Sequence, residues 1–277
     1  MDESSGKDGS VRPIESTEGG RLASWEVFQQ YIHPGQTVVA MGPGASIAYD
    51  SSFLITAHLL GQSGNLLVVD PKSITRSVRL DEAEKGPIRG AGDVDLHLRQ
   101  LEYLHNEGMN IARPIWVGPY ATCASTTLLD KSCEVIVDHN TSPFVTGSDD
   151  KRERVYWLTK TYQEYARILQ PGGILLLQTS NKRYKFGEER GKIRLTQLLE
   201  DSGFQVTTQE VEDTFVMPLS PTEAKLLRNV PIEAELFDTI SHNIKKGDGQ
   251  FYFERNARQS QFVVPHESIN MYIGIRQ

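Results

Sequence analysis

The chain has 277 residues, 38% of them hydrophobic and 23% charged, enough for one large core with elaborations. Its formal charge of −7 argues against a general affinity for nucleic-acid phosphates, which calls for a basic face. No stretch approaches the roughly 18 consecutive apolar residues that span a bilayer, and two cysteines, Cys123 and Cys133, give neither a disulfide framework nor a zinc-site spacing.

Residues 1–20 are rich in Gly, Ser and charge and lack the apolar stretch of a secretory signal. They read as a flexible lead-in to a single domain over residues 21–277, and a cytoplasmic location is expected. A helical pattern runs from Leu22 to Ile32 and is broken by Pro34-Gly35. The apolar run TVVAM then leads as a buried strand into Gly42. Apolar residues recur at helical spacing from Ile47 to Leu60, Gly61 stops that helix, and a second buried strand, NLLVVD, ends at Asp70. Strand, helix and strand make one βαβ unit.

Further along, a helix over Val94 to Leu104 precedes a third strand, PIWVG. A fourth strand, CEVIVDH, an amphipathic helix from about Lys151 to Leu169, the turn Gln170-Pro171-Gly172-Gly173 and a fifth strand, ILLLQT, follow. Such alternation predicts a parallel sheet covered on both faces. The basic run 181–185 reads as a solvated loop or, as the alternative, a local basic patch. After a helix over Ile193 to Glu200, FQVTTQEV and INMYIGIRQ have strand patterns. Between them an insertion, residues 217–266, holds a helical piece, Pro221 to Arg228, and the β-like FYFER.

In an open parallel sheet the ligand site lies beyond the carboxyl ends of the strands, where the strand order reverses. Gly42 and Gly44 stand at such an end, where glycines admit a ligand without a Cβ clash, and Pro43 stiffens the turn. Asp70, followed by Pro71, ends the next strand. A carboxylate there accepts both hydroxyls of an adenosine ribose, or else caps its own turn.

In order along the chain, these segments resemble the class I S-adenosylmethionine (SAM) dependent methyltransferases. VVAMGPGAS is similar to the family's first motif and LLVVD to its second. TLLDKSCEVIVDHN resembles the passage into its fourth strand, and YARILQPGGILLLQT its helix, turn and strand hallmark. The matches run from Thr37 to Thr179. The resemblance implies an α/β fold: a Rossmann-like, doubly wound, mostly parallel sheet with an antiparallel last strand and a C-terminal insertion. It implies SAM as cofactor and S-adenosylhomocysteine as product. Gly42, Pro43, Gly44, Ser46, Asp70, Pro71, Pro119, Tyr120, Asp138 and His139 would be the cofactor-binding residues.

Departures from the family pattern are local. Ala40 stands where an acidic residue is usual, Ser46 where a third glycine is frequent, and no Asp occurs near Gly118-Pro119-Tyr120. Ser46 offers a hydroxyl or a helix cap, and Tyr120 either stacks on the adenine or packs in the core. His139 is the candidate catalytic base, or else it flanks the adenosine. Methyl transfer is an in-line displacement, so positioning dominates, and a base is needed only where the acceptor must lose a proton. The Asn/Asp-Pro-Pro-Tyr/Phe motif that accompanies methylation of planar nitrogens is missing.

A small-molecule acceptor is therefore expected, with no membrane or nucleic-acid partner. The insertion is expected to cover the acceptor pocket or to build the contact of a homodimer. Its aromatic and apolar residues, Phe215, Met217, Phe237, Phe251, Tyr252 and Phe253, would line the pocket or pack the insertion on the sheet. Two other readings stand beside this one. An NAD(P)-dependent oxidoreductase shares the glycine turn and the strand-end acid, but Ile47 holds the place of its third glycine and no Tyr-x-x-x-Lys pair occurs. A non-enzymatic scaffold, retaining the fold without the cofactor, would explain Ala40 and Ser46.

Overall fold

The computed structural model describes residues 22–42, 47, 50–69, 94–117, 124–139, 150–180, 193–212, 214–230, 240–256 and 269–277. Their centre is an eight-stranded sheet of β1 (Leu22–Ala23), β2 (Thr37–Met41), β3 (Asn65–Val69), β4 (Pro114–Trp116), β5 (Cys133–His139), β6 (Leu169–Ser180), β7 (Phe204–Glu212) and β11 (Ile269–Arg276). The spatial order is β1-β7-β11-β6-β5-β2-β3-β4. Strands β4, β3, β2, β5 and β6 run parallel, whereas β11 lies antiparallel between β6 and β7. The protein is thus a Rossmann-like, mostly parallel α/β structure with an antiparallel last strand, as its sequence pattern predicts.

Burial on both faces explains the continuous apolar runs. Along β2, Val38 and Ala40 pack into one core with α1 (Ser24–Tyr31), α2 (Ser52–Leu60) and α3 (Val94–Asn106). Val39 and Met41 pack into the other core, on the opposite face, against α4 (Lys151–Ile168) and α5 (Leu195–Asp201). Asp150 caps α4 by accepting the Arg152 amide at 2.8 Å, and Leu158, Thr161, Tyr162, Tyr165 and Ile168 form its buried stripe.

Helix α4 returns to the sheet through Pro171-Gly172-Gly173. A Cβ on Gly173 would stand 3.0 Å from the Glu134 carbonyl oxygen, so this residue lets β6 approach β5 closely. The strand begins at Leu169 rather than Ile174, because Leu169 already pairs with Cys133, and a register irregularity between Cys133 and Val135 absorbs the turn residues. Three helices are also shorter than their apolar spacing predicts, α5 by starting at Leu195 rather than Ile193. Leu22 and Ala23 pair in parallel with Val211 and Glu212, so α1 starts at Ser24. Helix α2 starts at Ser52 rather than Ile47, since the Asp50 side chain takes the Ser52 amide at 2.9 Å.

A second sheet is built between β7 and β11 from β8 (Thr214–Leu219), β9 (Ile244–Gly247) and β10 (Gln250–Asn256), in the order β8-β10-β9. It begins three residues earlier than Met217, the start read from the sequence. Asp248 and Gly249 join β9 to β10 with φ of 48° and 78°, the two-residue hairpin turn that needs left-handed backbone at both positions. Ser220 and Glu223 close a capping box on α6 (Pro221–Arg228). Phe215, Met217, Ala224, Leu227 and Phe253 are buried in the same core as Val27, Phe28 and Leu54, so this sheet shares the main hydrophobic interior. Burial of each of these phenylalanines stabilises the junction by about 2 kcal/mol.

Candidate functional site

The strand order reverses between β2 and β5. From β2 the chain proceeds outward through β3 to β4, and from β5 it proceeds the other way to β6. A crevice at the carboxyl ends of two such strands is where open α/β sheets bind ligands. Met41 is paired with Val69 on one side and Asp138 on the other, so Gly42 follows the last rung of β2 beside the end of β5. The Gly42 amide donates to the Val69 carbonyl at 2.8 Å, and its φ of 58° is a left-handed conformation that disfavours any residue with a Cβ.

Across the reversal, His139 Nδ1 lies 3.0 Å from Asp50 Oδ2. The two side chains are only 13% and 10% exposed. The other carboxylate oxygen of Asp50 accepts from the Ser52 amide at 2.9 Å and from the Ser52 hydroxyl at 2.5 Å. Burial by itself would raise the Asp50 carboxyl. The neighbouring His139, as charge and hydrogen-bond donor, the Ser52 hydroxyl and the charge of His97 outweigh it and hold Asp50 well below the usual carboxylate range.

Helix α3 supports the loop that carries Asp50. Gln100 Oε1 accepts the Ile47 amide at 3.1 Å, and His97 packs edge-on against Phe53 of α2 with ring centroids 5.9 Å apart. From the second sheet, Phe215 meets the His139 ring edge-on at 5.7 Å and Phe28 at 5.3 Å. Among the described residues the second sheet thus reaches the site through the Phe215 ring, while Met217 and Phe253 are buried in the same core and Phe251 is turned to the Arg228 guanidinium and the Lys246 ammonium.

Alternation along β5 sends its last two residues to opposite faces. Asp138 is fully buried and accepts the Tyr165 hydroxyl of α4 at 2.9 Å, while His139 faces Asp50 and Phe215. Beside His139 in the sheet, Gln178 donates to the Ser24 hydroxyl at 3.1 Å, and Ser24 donates to the Glu212 carbonyl at 2.9 Å. Polar side chains thus tie the ends of β5, β6 and β7 to α1 and α2.

Of the residues predicted from the sequence, the structure brings Gly42, Asp138 and His139 to one end of the sheet. Pro43, Gly44, Ser46, Asp70, Pro71, Pro119, Tyr120 and Phe237 lie outside the described residues. Asp50, Ser52, His97, Gln100 and Gln178 build or support the same end of the sheet and are candidate site residues that the sequence reading does not single out. The buried polar pair His97 and Gln100, one turn apart on α3, is the signal that was there to be found. Among the described residues no cluster of His, Cys, Asp and Glu is arranged to hold a metal ion, and no helix is long and apolar enough to cross a membrane.

No protein-family model matches the chain, and no curated protein matches it. Solved structures do. A SAM-dependent methyltransferase from Aquifex aeolicus is 16% identical with a TM-score of 0.41, over 69% of this chain and 85% of that one. An arsenic(III) S-adenosylmethionine methyltransferase from Chlamydomonas reinhardtii is 14% identical with a TM-score of 0.41, over 89% and 65%. A SAM-dependent methyltransferase from Methanosarcina mazei is 15% identical with a TM-score of 0.40, over 92% and 99%.

Proposed function

We propose that the protein is a SAM-dependent methyltransferase acting on a small-molecule acceptor. The observation that carries this reading is the left-handed Gly42 at the end of β2, at the point where the strand order reverses. The residues present fit such a cofactor: a strand end without a Cβ at the reversal, and a buried imidazole and carboxylate that meet across it. The motif resemblance from Thr37 to Thr179 supports the same cofactor.

In this proposal Gly42, Pro43, Gly44 and Ser46 form the turn against the cofactor, and Asp70 accepts the ribose hydroxyls with Pro71 shaping the strand exit. Pro119 and Tyr120 border the adenine, while Asp138 and His139 end β5 beside it. When bound, SAM supplies a methyl carbon activated by its sulfonium. The chain's task is to align acceptor and methyl group and, for an acceptor that must lose a proton, to receive that proton at His139.

Calorimetric titration with S-adenosylhomocysteine, beside NAD and NADP as controls, tests the reading. Micromolar binding of S-adenosylhomocysteine alone is expected. Asp70→Ala should weaken it at least tenfold, about 1.4 kcal/mol. Unchanged affinity in a folded Asp70→Ala protein removes the pocket assignment, and silence towards all three ligands favours a non-enzymatic scaffold.

A further inference from the structure

We propose that Asp50 is the positioning residue of the transfer reaction. It holds His139 with Nδ1–H directed at its carboxylate, so that Nε2 is the atom that takes the acceptor's proton. This inference rests on the methyl-transfer reading above and extends it to a residue that no motif marks.

The geometry carries it in three steps. First, Nδ1 is within hydrogen-bond distance of Asp50 Oδ2, at 3.0 Å, and an ionised carboxylate only accepts, so the proton of the neutral ring belongs on Nδ1. Second, Asp50 is itself fixed. Ser52 donates twice to its other oxygen, and the Ile47 amide, held by Gln100, anchors the same loop. Third, Phe215 standing edge-on at 78° to the imidazole sets the plane of the ring from the side of the second sheet. Among the described residues, the groups facing this pair from neighbouring elements are Ser52 of α2, His97 of α3 and Phe215 of β8.

The step balances as follows. The acceptor's O–H or N–H bond breaks, and its proton passes to the Nε2 lone pair. The electron pair left on the acceptor atom forms the new bond to the methyl carbon as the carbon–sulfur bond breaks, its electrons staying on sulfur. His139 becomes an imidazolium facing the Asp50 carboxylate, and the pair goes from a net charge of −1 to zero. A carboxylate already in place stabilises that imidazolium without reorganisation.

Nitrogen-15 NMR of the full chain labelled at histidine tests this, with His139→Gln identifying one signal among the seven histidines. The wild-type protein needs no variant for the first readout: neutral His139 is expected to carry its proton on Nδ1 and to show an unprotonated Nε2. In Asp50→Asn the His139 titration midpoint is expected to fall by about one pH unit or more, and Asp50→Glu should restore part of it. An Nε2–H tautomer in the wild type, or an unchanged midpoint in Asp50→Asn, overturns the inference. S-adenosylhomocysteine titrations of the same samples separate the two levels. Binding with the wrong tautomer removes only the role of Asp50, whereas the expected tautomer without any binding removes the methyl-transfer reading and the proton-acceptor role with it.

Discussion

Strand β5 has a charged cluster at each end, and the two are built differently. At its carboxyl end, Asp50 and His139 meet through one contact in a nearly buried setting. At its amino end, Arg167 near the close of α4 donates to Glu164 through Nε at 2.8 Å and through a terminal nitrogen at 2.7 Å. It also donates to the Leu128 carbonyl at 2.8 Å and to Asp130 at 2.5 Å. Glu164 in turn accepts the amide and hydroxyl of Thr126 at 2.7 and 2.6 Å. Burial would raise the Glu164 carboxyl, but the hydrogen bonds from Arg167 and Thr126 and the Arg167 charge keep it below its usual value. Redundant contacts in partial solvent make a staple for the segment entering β5. A single contact shielded from water makes an orientation device, because changing either partner changes the protonation of the other.

Mutation separates the two designs. The largest effect is expected for Asp50→Ala, which strips the acceptor from the Ser52 amide, the Ser52 hydroxyl and His139 together and should lower unfolding free energy by about 3 kcal/mol in urea titrations. The pH dependence has a definite sign. Folding lowers the Asp50 pKa from its ordinary value of 3.8, so its stabilising contribution is full above that value and is lost as pH falls through the lower folded one. Asp50→Asn should therefore flatten the acid limb of stability measured below about pH 4, and an unaltered limb would contradict the assignment.

Arg167→Ala comes next, at about 2 kcal/mol, because Glu164 keeps its Thr126 donors when the guanidinium is removed. Affinity for S-adenosylhomocysteine should be unaffected by this change, since none of these side chains reaches the carboxyl end of β5. The smallest effect belongs to Asp130→Ala. Its side chain is 73% exposed, and removal should shift stability by no more than about 0.5 kcal/mol. A loss as large as that of Arg167→Ala would mean that the amino-end cluster is also a single-contact design.

The sheet was legible in the sequence wherever one element depends on its own residues. Strands β2 and β5 are built on the apolar runs Val38–Met41 and Val135–Val137, α4 carries its buried stripe at helical spacing, and α6 begins on Pro221 after a capping serine. What escaped depends on partners far along the chain. Leu22 and Ala23 look like the first turn of a helix until Val211 and Glu212 lie beside them. Asp50 looks like one more residue of α2, and its partner His139 is 89 positions away. The hairpin at Asp248-Gly249 is a different case, since an Asp-Gly pair between short runs is a local turn signal that the reading passed over. Gly42 and His139 could be named from the sequence because motif spacing marks strand ends, whereas the tautomer of His139 is set by a residue without a motif.

The place of β11 has a consequence for synthesis. Among the described residues, strands β7 and β1 join the rest of the sheet only through β11, which pairs with β7 along one edge and with β6 along the other. A growing chain that has emerged as far as Glu212 can assemble the five parallel strands from β4 to β6, but β7 and β1 must wait for residues 269–276 before their backbone amides find the remainder of the sheet. Until then β6 and β7 each present an open edge, the kind of surface on which incomplete chains pair with one another.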